Sequence, residues 1–281
     1  MDCSHNLNGK VVVITGAGGV LCSEFARALA AKGAKVAMLN RTLEHAQVHA
    51  DDICAKGFTA KAYQVDVLDK ASIERAHEQV LKDFGKCDIL INGAGGNHPK
   101  GTTTKEYFEP GDETDENVVS FFDLEESSIA KVFDLNFMGT LLTTQVFAKD
   151  MIGREHCTII NISSANANRP LTKIPAYSGA KAAISNFTQW LAVHFSKCGI
   201  RVNAIMPGFL VTRQNKDLLF DADGNATPRT EKILAATPMN RFGEPRELLG
   251  TLLYLADDEA SGFVNGVVIP VDGGFAAYSG V

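Results

Sequence analysis

The feature that most constrains the fold of this chain is a regular alternation of short apolar runs with longer amphipathic segments. Seven runs are rich in β-branched residues and are bounded by turn residues: KVVVIT, AKVAMLN, KAYQV, DILIN, CTIINIS, IRVNAIM and GVVIPV. The intervening helical patterns include Ser23–Lys32, Thr42–Ala55, Lys70–Phe84, Ala176–Ser196 and Pro245–Ala256. Such an alternation is typical of buried parallel strands joined by crossover helices. It predicts an α/β fold, a doubly wound parallel sheet of about seven strands with helices on both faces.

The composition argues against several kinds of partner. The 281 residues are 45% hydrophobic and 21% charged, as in ordinary globular proteins, and the formal net charge is −6. A negative chain is poorly suited to nucleic acid or an anionic membrane surface. The N-terminal stretch MDCSHNLNGK lacks the apolar core of a signal peptide, and no apolar run approaches the roughly 18–20 residues that span a bilayer. We expect a cytoplasmic protein with a small-molecule substrate and no nucleic-acid or membrane partner.

No linker or internal repeat divides the chain, so we expect a single domain over residues 1–281. Two regions interrupt the alternation: a polar, acidic insert at 97–127, and an irregular section at 209–242. Long loops in compact domains commonly act as lids or binding loops, and we expect a substrate lid at 209–242. The six cysteines are scattered, with no CxxC pair and no His cluster at metal-ligand spacing. We therefore expect reduced thiols and no metal site.

A glycine-rich turn follows the first strand directly and precedes an alanine-rich helix. In this position, backbone N–H groups and the N-terminus of the helix point at the site where a phosphate would bind. The residues predicted to form this phosphate-binding turn are Thr15, Gly16, Gly18, Gly19, Val20 and Leu21.

The ends of the next three strands carry residues suited to the rest of a dinucleotide. Asn40 and Arg41 end the second strand, where an acidic residue would bind a ribose 2′-OH; a neutral residue followed by Arg favours the 2′-phosphate of NADP over NAD. Arg41 could instead be a solvated charge at the start of a helix. The third strand ends in Asp66 and Val67, where Asp66 could accept from an adenine amino group or cap the next helix. The fourth strand closes with small residues that leave room for a ribose: Asn92, Gly93, Ala94 and Gly95.

Four further residues together resemble an active site. Tyr177 and Lys181 are four apart in a predicted helix and so lie on one face. Ser164 ends the fifth strand, and Asn136 comes from the helix between the fourth and fifth strands. A phenol has a pKa near 10, so a neighbouring ammonium and an oxidised nicotinamide would be needed to favour the phenolate. Tyr177 could then exchange a proton with an alcohol while hydride moves to or from the cofactor.

The chain resembles the short-chain dehydrogenase/reductase family along almost its whole length. The matching elements are TGAGG, Asp66, NGAG, Asn136, Ser164, YSGAK, PGFLVT, RFGEP and VDGG. The resemblance implies a Rossmann-type domain, a nicotinamide cofactor, and a homotetramer or homodimer. It assigns Tyr177 as acid/base, Lys181 to lower its pKa and hold the ribose, Ser164 to position the substrate, and Asn136 to hold a relay water. The same resemblance places Ile205–Gly208, including Pro207 and Gly208, beside the nicotinamide and Thr212 at its carboxamide.

The turn departs from the family at two positions. Val20 and Cys22 stand where the family's fingerprint has its second and third glycines. Cys is small enough to allow close packing of helix on strand, whereas a β-branched Val does not readily adopt a positive φ. We expect Gly18 and Gly19 to supply the bend instead, leaving a modified but working site.

The substrate is the least constrained part of the prediction. GGVLC, the insert after NGAGGNH and the segment SSANANRPLTKIPAYSGAK resemble sugar-acid dehydrogenases of this family, of the type that interconverts D-mannonate and D-fructuronate. A sugar acid carries a carboxylate that Arg or Lys would bind. The candidates are Arg169, Lys173, Asn97, His98 and Arg213. A neutral polyol or a 3-oxoacyl group is an alternative substrate, and a catalytically silent cofactor-binding regulator is an alternative function.

Overall fold

The computed structural model describes residues 5–212 and 219–280. One seven-stranded sheet runs through it, with every neighbouring pair of strands parallel and the order β3-β2-β1-β4-β5-β6-β7. The strands are β1 Val11–Thr15, β2 Lys35–Asn40, β3 Thr59–Gln64, β4 Ile89–Asn92, β5 Cys157–Ile162, β6 Ile200–Pro207 and β7 Val268–Val271. The predicted doubly wound sheet is confirmed.

The helices of the described residues lie in the segments between these strands. They are α1 Val20–Ala31, α2 Leu43–Ala55, α3 Lys70–Asp83, α4 Glu126–Phe133, α5 Gly139–Phe147, α6 Pro175–His194, α7 Pro228–Ala235, α8 Leu249–Ala256 and α9 Asp258–Ser261. A five-residue π-helical turn, Asp134–Met138, joins α4 to α5. The first helix begins three residues before the predicted Ser23, because Gly19 takes the N-cap position and Val20 is already helical.

Two hydrophobic clusters cover the two faces of the sheet. On one face, β-strand residues such as Ile14 and Met38 pack against α1, α2 and α8. On the other, Leu90 and Ile159 pack against α3, α5 and α6. β1, β4, β5 and β6 are buried at every position and β2 at all but its ends, which explains their largely apolar runs, whereas the edge strands β3 and β7 are more exposed. Among the described residues, no helix combines the length and apolar character needed to cross a bilayer.

The strand order reverses between β1 and β4. At such a switch point the loops that follow the two strands leave in opposite directions and open a crevice at their carboxyl ends. The glycine turn follows β1 and the NGAG segment closes β4, so both border this crevice. The sheet topology therefore brings these two small-residue segments together, although about 70 residues separate them in the sequence.

Candidate active site

The glycine turn after β1 has the shape of an anion-binding loop. Gly16 adopts a positive φ of 67°, and a Cβ there would lie 2.9 Å from the Cα of Ala94. Gly19 is the N-cap of α1, and its amide donates to the Gly16 carbonyl at 2.9 Å. No side chain caps the helix and no acidic residue lies in its first turn. The amide groups of this helix end are thus suited to a diphosphate.

Val20 does not need the positive φ that its β-branched side chain disfavours. Val20 is the first residue of α1, a conformation that any residue adopts. The positive φ of the turn is at Gly16, whereas Gly18 and Gly19 do not have one. The expectation that Gly18 and Gly19 supply the bend is therefore wrong. The bend precedes them, and Val20 disturbs nothing because it begins the helix.

The end of β2 is tied to the glycine turn through Asn40. Its Oδ1 accepts from the Gly18 amide at 3.2 Å, and its Nδ2 donates to the Thr42 carbonyl at 2.8 Å. The Asn40 side chain thus holds the turn in place. Arg41 is exposed and lies at the mouth of a groove that also includes Asp66.

Asp66 is not a helix cap. Its Oδ1 accepts from the Leu68 amide at 2.9 Å, while Asp69 caps α3 by accepting from the Ala71 amide. The Asp66 side chain is exposed at the crevice edge, and Val67 beside it is buried. Asp66 was expected either to accept from an adenine amino group or to cap the next helix. Because it does not cap α3, the adenine contact is the interpretation that remains.

The end of β4 approaches the end of β1 closely. The Thr15 hydroxyl accepts from the amides of Gly93 at 3.0 Å and Ala94 at 3.1 Å. The Asn92 side chain points into the sheet, donating to Asn161 at 2.9 Å and to Thr144 at 3.0 Å. Asn92 and Thr15 therefore shape the crevice from below, and we expect them to position the turn rather than touch a cofactor through their side chains.

A cleft of about 340 Å³ opens over the carboxyl ends of the strands. It brings together ten residues predicted from the sequence or adjacent to them: Leu21, Gly93, Gly95, Gly96, Ser164, Tyr177, Lys181, Pro207, Gly208 and Thr212. Its remaining wall is largely apolar and includes Phe209, Leu219 and Phe242, which sequence reasoning missed. All three lie in the irregular section 209–242, and Phe209 and Phe242 also belong to the motifs PGFLVT and RFGEP.

Tyr177 and Ser164 face each other across this cleft. Burial raises the pKa of the Tyr177 phenol, and hydrogen bonding from the Ser164 hydroxyl acts in the opposite direction. The Lys181 ammonium lies 5.7 Å from the centre of the Tyr177 ring. These side chains alone do not lower the pKa of Tyr177, contrary to what was expected of Lys181. The positive charge of an oxidised nicotinamide was also expected to act on the Tyr177 phenol, and it would lower the pKa of that group.

Lys181 is buried at the floor of the cleft. Its Nζ donates to the Ile162 carbonyl at the end of β5, at 2.8 Å. Burial lowers the pKa of the ammonium from 10.5 to about 8. A Cβ on Gly95 would come within 3.2 Å of this Nζ and 2.5 Å of the Asn136 Oδ1. Glycine is therefore required where the backbone passes between the two side chains.

Asn136 lies in the π-helical turn between α4 and α5, behind the cleft wall. Its side chain donates to the Val132 carbonyl at 2.7 Å and the Gly96 carbonyl at 2.8 Å, and accepts from the Gly96 amide at 3.2 Å. Asn136 therefore fixes the segment that follows β4. Irregular π-helical turns often mark functional sites, which suits a residue beside Lys181.

The four substrate candidates that the structure describes do not line this cleft. The Asn97 amide donates to the Thr102 hydroxyl, and His98 caps a short 3₁₀ helix. Arg169 donates to the Ala276 carbonyl at 3.3 Å. Lys173 lines a separate recess of about 260 Å³. Arg213 lies outside the described residues. Arg169 and Lys173, proposed for the loop over the reacting carbon, and Asn97 and His98, proposed for the pocket mouth, are thus absent from the residues that line this cleft.

The short chain dehydrogenase family model matches residues 10–222. The chain belongs to the short-chain dehydrogenase/reductase family. An oxidoreductase of Haemophilus influenzae is 60% identical over 278 residues, which span 99% of this chain and 97% of that protein. The resemblance inferred from the motifs is confirmed.

Two solved structures resemble this chain along nearly its whole length. A Haemophilus protein with bound NAD, named as a candidate D-mannonate oxidoreductase, superposes with a TM-score of 0.96 at 59% identity, over 99% of both chains. A gluconate 5-dehydrogenase from Burkholderia cenocepacia, in complex with NADP and tartrate, superposes with a TM-score of 0.81 at 29% identity, over 98% of both chains. The expected enzyme class is confirmed: the protein is an NAD(P)-dependent oxidoreductase.

Proposed function

We propose that this short-chain dehydrogenase interconverts a secondary alcohol and a ketone of a sugar acid, of the D-mannonate/D-fructuronate type. The observation that carries the chemistry is the placement of Ser164, Tyr177 and Lys181 around one cleft at the switch point of the sheet. The substrate assignment is supported by the likeness to the Haemophilus protein named for D-mannonate.

The catalytic roles follow from where each side chain lies. As the phenolate, Tyr177 takes the proton of the carbinol oxygen during oxidation, and its hydroxyl returns that proton to the substrate oxygen during reduction. The Ser164 hydroxyl donates a hydrogen bond to the same substrate oxygen, where negative charge develops. When bound, the nicotinamide supplies the acceptor or donor of the hydride. The Lys181 ammonium, beside the Tyr177 ring, binds the ribose, and Asn136 holds the backbone beside Lys181 in place. The Ser164 hydroxyl and the positive charge of the oxidised nicotinamide favour the Tyr177 phenolate.

The residues of the crevice fit a dinucleotide. Gly16 and Gly19 form the turn that leads into α1, and the backbone amides in the first turn of α1 suit the diphosphate. The exposed Asp66 suits the adenine. Pro207, Gly208 and Thr212 line the cleft where the nicotinamide would lie. Arg41 is exposed at the end of β2 with no carboxylate at that strand end, an arrangement that favours NADP over NAD.

Two features support further parts of the proposal. Phe209, Leu219 and Phe242 border the cleft, in agreement with a substrate lid at 209–242 within one domain. Trp190 and Val193 of α6 are 55% and 77% exposed, and apolar side chains of this size on one helix suit a homodimer or homotetramer.

The test is nicotinamide absorbance with purified protein, pairing NADH and NADPH in turn with D-fructuronate, neutral ketoses and 3-oxoacyl thioesters. Rapid oxidation of one cofactor with D-fructuronate supports the proposal. Turnover confined to ketoses or to thioesters would transfer the chemistry to a neutral polyol or to an acyl substrate. Tight cofactor binding with no turnover of any ketone would indicate a catalytically silent regulator.

A further inference from the structure

A second recess adjoins the catalytic cleft and is lined by cations. Its walls are the loop 170–173, one side of α7, Phe275 near the C-terminus and Glu106 of the insert. The recess has a volume of about 260 Å³, enough for a small molecule or part of one. Apolar side chains of the loop and of α7 form most of its surface, which is typical of ligand pockets that orient their ligand through a few polar groups.

The polar groups of the recess are predominantly positive. Lys173, Arg229 and Lys232 face a single carboxylate, that of Glu106. The Lys232 Nζ lies 2.8 Å from the Glu106 Oε2. Lys232 chiefly lowers the pKa of Glu106, and the charges of Lys173 and Arg229 lower it further. All three cations thus act on one carboxylate. This local excess of positive charge occurs in a chain whose formal charge is −6, so the recess is well suited to attract an anion.

Two of the cations are available to a ligand. Within residues 5–212 and 219–280, neither Lys173 nor Arg229 forms an ion pair, whereas Lys232 is held by Glu106. Guanidinium and ammonium groups next to an apolar wall are the usual means of binding a carboxylate.

The recess and the catalytic cleft share a wall. Phe209 lines the cleft, Phe275 lines the recess, and the two rings pack edge to face with their centres 5.1 Å apart. The loop 170–173 also connects the Ser164 turn to α6, the helix that carries Tyr177. The recess therefore lies beside the cleft that holds Tyr177, on the other side of this aromatic pair.

The insert fixes the conformation of the loop. Lys173 has a φ of 73°, which is unusual for a residue with a side chain, and its carbonyl accepts from the Thr103 amide at 2.9 Å. The Glu106–Lys232 ion pair joins the same insert to α7. Backbone conformations of this kind persist only where neighbouring structure enforces them, commonly at ligand sites. The insert thereby sets the position of Lys173 in the wall.

We propose that this recess binds the carboxylate of the substrate, through Lys173 and Arg229, and so selects keto acids over neutral ketoses. The inference rests on the proposed function and names the part of the protein that recognises the acid group. Glu106 holds Lys232 as a third positive charge beside the carboxylate, and the apolar wall packs against the carbon chain. Lys173 and Arg229 are specificity-determining residues in this assignment, and the insert is their support.

The test compares Arg229→Ala and Lys173→Gln with Lys197→Ala, which removes an exposed charge elsewhere on the chain. The substrates are D-fructuronate and D-fructose, which carries CH2OH where D-fructuronate has its carboxylate. We expect each recess variant to lower kcat/KM for D-fructuronate about tenfold, mainly through KM, because a lost charge-assisted hydrogen bond costs roughly that factor. The kcat/KM for D-fructose should be unchanged, and Lys197→Ala should match the wild type with both substrates.

Salt supplies a second readout that does not require turnover of the neutral ketose. High salt should lower kcat/KM for D-fructuronate more in the wild type than in Arg229→Ala, because screening acts on the charge that the variant lacks. D-fructuronate turnover that both recess variants leave unchanged would overturn this inference while the proposed function stands. A wild-type enzyme that reduces neutral ketoses and no keto acid would instead remove the proposed substrate class, and this inference with it.

Discussion

Cys22 on α1 and Gly93 after β4 are complementary in volume. A Cβ on Gly93 would overlap the Cys22 Sγ and come within 3.0 Å of the Thr15 carbonyl oxygen. Burial raises the pKa of the Cys22 thiol to about 12, so the side chain stays neutral and acts as a packing group. The cysteine that replaces a fingerprint glycine is thus accommodated by a glycine on the opposite strand end, and the floor of the nucleotide crevice is closed by this pair.

Replacing Gly93 by Ala should therefore destabilise the protein, because the added methyl group meets the Cys22 sulfur. We expect the free energy of unfolding to fall by about 1–3 kcal/mol, as for other overpacked interiors. In a Cys22→Gly background the same substitution should cost less, because the obstructing atom is gone. Urea denaturation of the four proteins in this cycle measures the coupling.

Gly250→Ala is the matched control, since a Cβ at that helical position meets no atom within 4 Å. It should leave the free energy of unfolding unchanged or raise it slightly through helix propensity. An equal cost of Gly93→Ala with and without Cys22 would show that the two residues are not coupled.

The fold could be predicted from sequence because its determinants are periodic. The strands VVVIT and CTIINI are predominantly apolar and buried at every position, as expected of strands covered on both faces. The order of motifs along the chain then placed Ser164, Tyr177 and Lys181 at the same edge of the sheet, and the structure has them around one cleft.

Three features could not be predicted, each for a physical reason. The π-helical turn that carries Asn136 departs from the helical period by one residue, a change with no local sequence signal. The positive φ of the glycine turn falls on Gly16, and composition alone does not distinguish it from Gly18 or Gly19. The cationic recess joins residues from the insert, the Lys173 loop and α7. The local sequence pattern carries no information about contacts between such distant segments.

The mechanism predicts that Tyr177→Phe loses turnover and keeps cofactor binding. The variant lacks the hydroxyl that exchanges a proton with the substrate oxygen, and general acid–base catalysis contributes about 10²–10⁴-fold to such reactions. Steady-state rates and cofactor titration by fluorescence measure the two effects separately.

Tyr63→Phe serves as the control for Tyr177→Phe. It removes a hydroxyl that donates to Asp83 at 2.9 Å, on the edge strand of the sheet. This variant should lose some stability and retain kcat. Turnover that survives in Tyr177→Phe would mean that the proton passes through a different group.

Cofactor choice should depend on Arg41. In Arg41→Ala we expect the Kd of NADPH to rise about tenfold, because a charge-assisted hydrogen bond to the 2′-phosphate is lost. The Kd of NADH should change little, since NADH lacks that phosphate. Lys82→Ala, which removes an exposed charge on α3, controls for general electrostatics. Equal losses for the two cofactors would remove Arg41 from the 2′-phosphate site.

The state of Lys181 should set an alkaline limit on cofactor binding. Burial lowers the pKa of its ammonium to about 8, so the positive charge is lost as the pH rises through that value. We expect the affinity for NADH and NADPH to fall above about pH 8, and kcat/KM to fall with it. Lys181→Arg, whose guanidinium stays charged throughout this range, should move the alkaline limb upwards. A cofactor affinity that stays constant above pH 8 would show that binding of the ribose does not depend on the charge of Lys181.

The protonation of Lys181 should also affect the free energy of unfolding, which should rise with pH where the cofactor affinity falls. The pKa of Lys181 is about 8 in the folded protein against an ordinary value of 10.5. Between these values the unfolded chain binds a proton that the folded protein does not, so the free energy of unfolding rises with pH. The penalty for the buried ammonium is present in full below about pH 8 and is gone above 10.5. Lys181→Met has no group that titrates there, so the wild type should gain stability relative to this variant as the pH rises through that window. Chemical denaturation of both proteins across this range measures the difference, and parallel curves would show that burial does not perturb Lys181.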